Sequence, residues 1–240
     1  MEKLHVIIPC YNEENRLNFD EIDKLIELIP LIHIVFANDG STDNTIGALQ
    51  TVKDKYSDKV SIFDYKKNCG KAMVLYNTIN SLLEDEQVQI IGYLDADFAT
   101  DAVNFNKVCV PVFEKRAIFA IGSRVKLLGK NINRKVMRHY IGRFVITFLG
   151  FKHSLPIYDT QCGAKVFRSE ILKEVLYGKP FKCNWLFDYE LFIRLKKKNL
   201  LSEGEEVPLD SWVDIAGSKL GYKTAFKILR EMFKIYSIQK

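Results

Sequence analysis

Val88-Gln89-Ile90-Ile91-Gly92-Tyr93-Leu94-Asp95-Ala96-Asp97 is an apolar run that stops at two carboxylates one residue apart. A short apolar run of this kind fits a strand covered on both faces. Such a strand delivers Asp95 and Asp97 to the rim of a sheet, and in an open α/β sheet ligands bind at that rim. Two like charges held this close oppose each other unless a cation joins them. Mg²⁺ suits the task, because it favours one or two carboxylates together with substrate phosphates. An Asp-x-Asp turn cap without any ligand uses the same residues, so the pair needs support from the rest of the chain.

Outward from that stretch, strands and helices alternate. Apolar β-rich runs occur at Leu4–Pro9, Ile32–Ala37, Val60–Tyr65, Val88–Leu94 and Ile118–Gly122. Helical patterns fill the intervals at Asp20–Ile29, Asp43–Tyr56, Gly70–Leu83 and Ala102–Glu114. In the first, Ile22, Leu25, Ile26 and Ile29 share one face, and Thr42-Asp43-Asn44 supplies an N-cap for the second. This order predicts an α/β fold with a mostly parallel central sheet flanked by helices. Strand ends at residues 9, 38 and 94 then converge on one edge. After residue 122 the regularity breaks. A loop over Ser123–Asn133 precedes an amphipathic segment at Arg134–Phe151 and a short strand at Ala164–Arg168. A helix over Leu186–Lys198, a strand near Val207–Trp212 and a basic amphipathic tail at Tyr222–Lys240 follow. No repeat or low-complexity linker interrupts the chain, which reads as one domain over residues 1–240.

With 240 residues, 48% hydrophobic and 27% charged, the chain can bury a large core. Met1-Glu2-Lys3 leads straight into strand-like Leu4–Ile8, unlike a signal peptide, and no apolar run is long enough to span a bilayer. Cys10, Cys69, Cys109, Cys162 and Cys183 are odd in number and lack zinc-ligand spacing, which predicts reduced thiols in the cytosol. The net charge of +5 is unevenly placed: Lys115 through Tyr158 contains no acidic residue. Its cations alternate with Leu127, Leu128, Met137, Tyr140, Ile141, Phe144 and Phe148. That mixture predicts an interface with an anionic partner in place of a solvated face.

Two further motifs fall on the convergent edge. The first strand ends in Pro9-Cys10-Tyr11-Asn12-Glu13-Glu14, the second in Asn38-Asp39-Gly40-Ser41-Thr42-Asp43. Gly40 permits a tight turn, and the Asp39 carboxylate is suited to accept from a nucleobase N–H or a ribose hydroxyl. A capped strand-to-helix turn accounts for the same residues without a ligand. No glycine-rich phosphate loop of either common type is present, so a nucleotide here is held by carboxylates and a metal.

Val6-Ile-Ile-Pro-Cys-Tyr-Asn-Glu13, Asn38–Asp43, Asn68-Cys-Gly-Lys71 and Asp95-Ala-Asp97 together resemble a family 2 glycosyltransferase of the GT-A fold. Gly122-Ser-Arg124, Asp159-Thr-Gln-Cys-Gly163, Trp185-Leu-Phe-Asp188 and Gly217-Ser-Lys219 resemble the dolichyl-phosphate glucosyltransferase branch, and less closely the mannosyltransferase branch beside it. The resemblance implies a nucleotide-sugar-binding half at 1–122 and an acceptor-side half at 123–240. It implies that Pro9, Tyr11 and Glu13 line the nucleoside pocket and that Asp39 contacts the base. Asp95, with Ala96, approaches the ribose and the metal, and Asp97 coordinates the Mg²⁺ or Mn²⁺ bound to the donor diphosphate. Lys71 reads either as a donor contact or as a surface residue of a helical first turn.

The implied reaction is an inverting transfer of a hexose, glucose from UDP-glucose being favoured. Two acceptors remain open. A sugar hydroxyl of a glycolipid or polysaccharide precursor needs a base, for which Asp188 is the candidate. A polyprenyl or dolichyl-type phosphate is largely dianionic near neutral pH and needs cations to bring it in. Arg124, Arg134 and Arg138 fit that task, the last two sharing a helix face at i and i+4. Asp159 and Gln161 belong to a turn expected near the reaction centre, with holding an arginine as the alternative role for Asp159. The basic amphipathic segments predict a peripheral enzyme on the cytoplasmic face of an anionic membrane. A nucleic-acid partner is not expected, since it leaves Asp39, Asp95 and Asp97 without a role.

Overall fold

A computed structural model describes residues 2–133, 136–214 and 222–238. Its strands are β1 (Leu4–Cys10), β2 (Ile32–Asp39), β3 (Val60–Tyr65), β4 (Ile90–Leu94), β5 (Phe119–Ser123), β6 (Asn131–Asn133), β7 (Ala164–Arg168), β8 (Gly204–Pro208) and β9 (Ser211–Val213). Its α-helices are α1 (Phe19–Leu28), α2 (Thr45–Lys55), α3 (Lys71–Leu83), α4 (Ala102–Phe113), α5 (Val136–His153), α6 (Ser169–Leu176), α7 (Phe187–Lys197) and α8 (Tyr222–Ser237). The main sheet has seven strands in the order β3-β2-β1-β4-β7-β5-β8. All neighbours are parallel except β7, which runs antiparallel to both β4 and β5. β6 and β9 form a separate parallel pair.

The alternation of side chains along β1 explains why this sheet is covered twice. Leu4, Val6 and Ile8 face one core with Ile22 and Leu25 of α1, Leu49 of α2 and Phe105 of α4. Ile7 faces the other with Val74 and Leu75 of α3, Leu172 of α6 and Leu191 of α7. A third cluster joins Val145 and Leu149 of α5, Tyr189 and Ile193 of α7, and Met232 and Ile235 of α8. Burying a single such side chain contributes about 1.5–3 kcal/mol. Sequence order alone predicts a run of parallel neighbours, but β7 inserts between β4 and β5 from the second half of the chain. Both halves therefore build one sheet. The strand expected near Val207–Trp212 is two strands, β8 and β9, separated where the Leu209 N–H donates to the Ser123 carbonyl (2.9 Å). Helix α6 has no counterpart among the elements expected from the sequence.

On α5 and α8 the apolar side chains divide. Val145, Leu149, Met232 and Ile235 are buried, whereas Phe144, Phe148, Phe151, Leu229, Phe233 and Tyr236 are exposed. Among the described residues, no helix is long and apolar enough to cross a membrane.

Candidate active site

Parallel register places the carboxyl ends of β1, β2 and β4 side by side: Cys10 pairs with Asn38, and Ile7 with Tyr93. The loops leaving β1 and β2 are tied together. Asn12 (φ 56°) donates its N–H to Ser41 Oγ (3.0 Å), and its side-chain oxygen accepts from the Thr42 N–H (2.9 Å). The Glu13 N–H donates to Thr45 Oγ1 (2.8 Å). Pro9, Tyr11 and Glu13 thus stand half-buried beside the end of β2.

At the end of β4 the chain turns sharply, the Phe98 N–H reaching the Asp95 carbonyl (3.1 Å). Phe98 is buried and left-handed (φ 50°), a costly conformation for a non-glycine residue and one that recurs at functional turns. The turn holds Asp95 half-exposed (39%) and Asp97 beside it. Burial, and next the charge of Asp95, push the Asp97 carboxyl above the usual carboxylate range, against the N–H of Ala99. Lys71, the first residue of α3, donates its ammonium to Asp95 Oδ1 and lies 5.6 Å from the centre of the Phe187 ring. Burial works against that ammonium, but Asp95 and then Asp188 outweigh it and keep it charged. Lys71 therefore belongs to the sheet edge.

Asp39 is buried, and its carboxylate already accepts the backbone N–H groups of Cys69 and Gly70 at 2.8 Å each. Asn68 Nδ2 donates to the Asp39 carbonyl (3.1 Å). Asp39 therefore shapes the Asn68–Lys71 turn that aims Lys71 at Asp95, a part the sequence did not disclose. A carboxylate has further lone pairs, so a nucleobase contact remains compatible with this duty.

The second half of the chain differs more from expectation. The sequence pattern casts Arg124 as a phosphate ligand. Instead its Nε and Nη2 form a two-pronged pair with Asp159 (2.7 and 2.8 Å), and only 8% of its surface is exposed. The Arg124 N–H also reaches Asp159 (3.0 Å), and the guanidinium lies 5.1 Å from the centre of the Trp212 ring. Asp159 is thus an arginine holder. Asp188, the candidate base, is also buried: Tyr93 donates its hydroxyl to it, and Lys165 Nζ lies at 2.8 Å. Lys165 is fully buried on β7 and donates to the Cys162 carbonyl (2.5 Å) as well. Besides Asp188 itself, the signal of this cluster that the sequence carries is a lysine within the otherwise apolar start of the strand Ala164-Lys-Val-Phe-Arg168. Gln161 Nε2 is buried with no hydrogen-bond partner among the described residues. Arg134 and the side chain of Arg138 lie outside the described residues.

The donor set at Asp95 and Asp97 fits a divalent cation. Two adjacent carboxylates face each other's charge, and Lys71 is the cation that meets it. No group of three or more candidate ligands occurs among the described residues; a divalent ion held by these two carboxylates would leave positions for diphosphate oxygens and water.

The model of the family described as glycosyl transferase family 2 matches residues 5–176, which spans both carboxylate loops and the end of α6. The chain belongs to this family. Among curated relatives of this glycosyl transferase is a dolichyl-phosphate beta-glucosyltransferase of Trichomonas vaginalis, 29% identical over 95% of this chain and 69% of the relative. The human dolichyl-phosphate beta-glucosyltransferase is 29% identical over 91% of this chain and 70% of its own length. Solved structures of similar fold include mannosyl-3-phosphoglycerate synthase from Rubrobacter xylanophilus (TM-score 0.71, 18% identity, 100% of this chain and 77% of that one). Another is glucosyl-3-phosphoglycerate synthase from Mycobacterium tuberculosis with Mn²⁺, UDP and phosphoglyceric acid (TM-score 0.69, 16% identity, 98% and 77%). The enzyme therefore has the GT-A architecture, a mostly parallel sheet flanked by helices.

Proposed function

We propose that this glycosyl transferase moves glucose from UDP-glucose onto a polyprenyl phosphate of the dolichyl type. An acceptor phosphate oxygen attacks the anomeric carbon from the face opposite UDP. The new C–O bond forms as the bond to the β-phosphate oxygen breaks, inverting the configuration. The names of the curated relatives support the glucose and the lipid phosphate. The observation that carries the acceptor choice is the engagement of Asp188 by Lys165 and Tyr93. A buried carboxylate engaged on Oδ1 by both groups is not presented to an incoming hydroxyl, which favours an acceptor that needs no base.

Pro9, Tyr11, Glu13 and Asp39 would line the nucleoside pocket, with Asp95 and Ala96 next to the ribose. Asp97 with Asp95 would hold Mg²⁺ or Mn²⁺, and the ion supplies Lewis-acid stabilisation of the departing diphosphate. A fold neighbour solved with Mn²⁺ and UDP supports the divalent ion and the uridine nucleotide. Lys71 sits where its charge adds to the same stabilisation. Arg134, Arg138 and Gln161 would receive the acceptor phosphate, with Arg124 bracing the loop of Asp159 to Gln161 through its pair with Asp159. The exposed Phe144, Phe148, Phe151, Leu229 and Phe233 support shallow seating on the cytoplasmic face of an anionic membrane. An open groove of about 630 Å³, lined by Ile146, Phe151, Leu155, Ile157 and Tyr158 among others, suits an isoprenoid chain leading towards Asp159.

Turnover with a panel of nucleotide sugars and a short polyprenyl phosphate tests this function. Glucosyl transfer from UDP-glucose to the lipid phosphate is the expected result. Glycosylation of a free sugar hydroxyl, with no lipid phosphate accepted, overturns the acceptor. Co-flotation with anionic but not neutral vesicles is expected, and Phe151→Ser with Phe233→Ser should abolish it.

A further inference from the structure

The loop that enters α7 is held by two carboxylates. Glu190 of α7 itself accepts the N–H groups of Lys182 (2.9 Å) and Cys183 (3.1 Å). Glu231 of α8 accepts the next three: Asn184 on Oε1 (3.0 Å), Trp185 on Oε2 (2.8 Å) and Leu186 on Oε2 (2.9 Å). Five consecutive backbone donors are satisfied in this way, and three of them depend on a helix distant in sequence. Negative charge is favourable there, because the last of these N–H groups open the N-terminus of α7.

This loop touches the donor side of the active site. Asn184 accepts the Ala72 N–H through Oδ1 (3.3 Å), one residue beyond Lys71. The side chain of Asn184 also packs so closely on Gly70 that a Cβ there would lie 2.5 Å from Nδ2. Gly70 is left-handed (φ +88°), so a side chain is excluded by conformation as well as by space. Just past the loop, Phe187 lies against the Lys71 ammonium. A connected set of contacts thus runs from Glu231, through the backbone of 184–186 and the Asn184 side chain, to the turn that aims Lys71 at Asp95.

We propose that Glu231 is a positioning residue for glycosyl transfer, holding the Gly70–Lys71 turn in place through Asn184 and thereby making activity depend on the seating of α8. The same helix turns Leu229, Phe233 and Tyr236 outward and Met232 and Ile235 inward. Seating of α8 against a lipid surface then reports to the donor site by a route of hydrogen bonds. The catalytic consequence rests on the proposed donor site at Lys71 and Asp95; the mechanical link does not.

The test compares Glu231→Ala, Glu231→Gln, Asn184→Ala and the Glu231→Ala/Asn184→Ala double variant in the full chain, far below the melting temperature of each. Hydrogen exchange is followed at residues 68–72, together with kcat and KM for UDP-glucose. Glu231→Ala and Asn184→Ala should each speed exchange at 68–72 and lower kcat by about tenfold, the scale of one lost hydrogen bond. The double variant should be no worse than either single, and Glu231→Gln, which keeps one acceptor oxygen, should fall between wild type and Glu231→Ala. Faster exchange confined to 184–186 with kcat unchanged overturns the proposal, as do multiplicative losses in the double variant. If Glu231→Ala does not fold, exchange at 68–72 in Glu231→Gln and Asn184→Ala decides the link in its place. If the wild type transfers no glucose, the proposed function fails, while the exchange at 68–72 still decides the link.

Discussion

The Asp95 carboxylate fills the space in which a Cβ on Gly163 would sit, with Oδ2 2.0 Å and Cγ 2.2 Å from that position. The Gly163 carbonyl also accepts the Asp95 N–H (3.1 Å), so the loop from Asp159 to Gly163 forms the wall against which Asp95 is set. Gly163→Ala should leave the fold intact, because the obstacle is the end of a side chain that can rotate. Asp95 must then leave its place beside Lys71. We expect kcat/KM to fall about 100-fold, the scale of a 1 Å misplacement at a reacting centre. Thermal stabilisation by UDP with Mn²⁺ should be lost in the same variant, and its retention would refute the role given to Gly163.

Arg124 and Asp159 bury opposite charges against each other: burial works against the charged arginine, and the Asp159 carboxylate outweighs it and holds the guanidinium above its usual range. Removing one partner strands the other. Asp159→Ala should therefore lower stability by about 3–5 kcal/mol in urea unfolding. Arg124→Lys should cost stability too, since an ammonium does not match both carboxylate oxygens as the guanidinium fork does. A change in Asp159→Ala within about 0.5 kcal/mol, the range of ordinary surface substitutions, would return Arg124 to the role of free phosphate ligand.

The contrast between the two halves of the chain explains what was legible in the sequence. β1 to β4 are apolar runs separated by helices of one-face periodicity, and local pattern alone locates them and the convergence of Asp39, Asp95 and Asp97. The place of β7 was not legible, because a five-residue apolar strand carries no mark of its neighbours or direction. β8 begins Gly204-Glu-Glu, and the polar start of this edge strand leaves only its Val207-Pro208 end within the strand expected from the sequence. Among site residues, the sequence offers Asp159 an arginine-holding role but not the identity of the arginine, because Arg124 lies 35 positions away and pairing at that distance is a property of the fold. Gly163, Lys165 and Glu231 act through backbone space, burial and backbone donors, none of which a motif of reactive side chains reveals.

Lys165 and Asp188 offer a direct way to separate a base from a structural partner. Asp188→Asn removes the charge that faces the fully buried Lys165, so the single variant should be unstable whatever Asp188 does in catalysis. Lys165→Met combined with Asp188→Asn removes both charges and should regain most of the stability lost in the single variant. If Asp188 is structural, this double variant transfers glucose to a lipid phosphate within about tenfold of the wild type, a loss of no more than about 1.4 kcal/mol in barrier. A folded double variant with activity reduced by more than about 1,000-fold would instead identify a general base.

Far from the site, His5 and His33 are register partners on β1 and β2 with ring centres 5.3 Å apart. Burial first, and then the charge of His33, push His5 from 6.5 down to about 4; burial also lowers His33, with Lys3 acting in the same direction. In the unfolded chain His5 takes up its proton near 6.5, whereas in the folded protein it does so only near 4. Between those values the unfolded state binds more protons, so stability falls as the pH drops through this window. His5's contribution is fully present above about 6.5, and no further loss from His5 accrues below about 4. His5→Gln should reduce the fall in unfolding free energy between pH 7 and pH 4 by on the order of 2 kcal/mol, allowing for partial solvent access. Urea unfolding of both proteins across that range measures it, and parallel pH profiles would show that His5 does not drive the acid sensitivity.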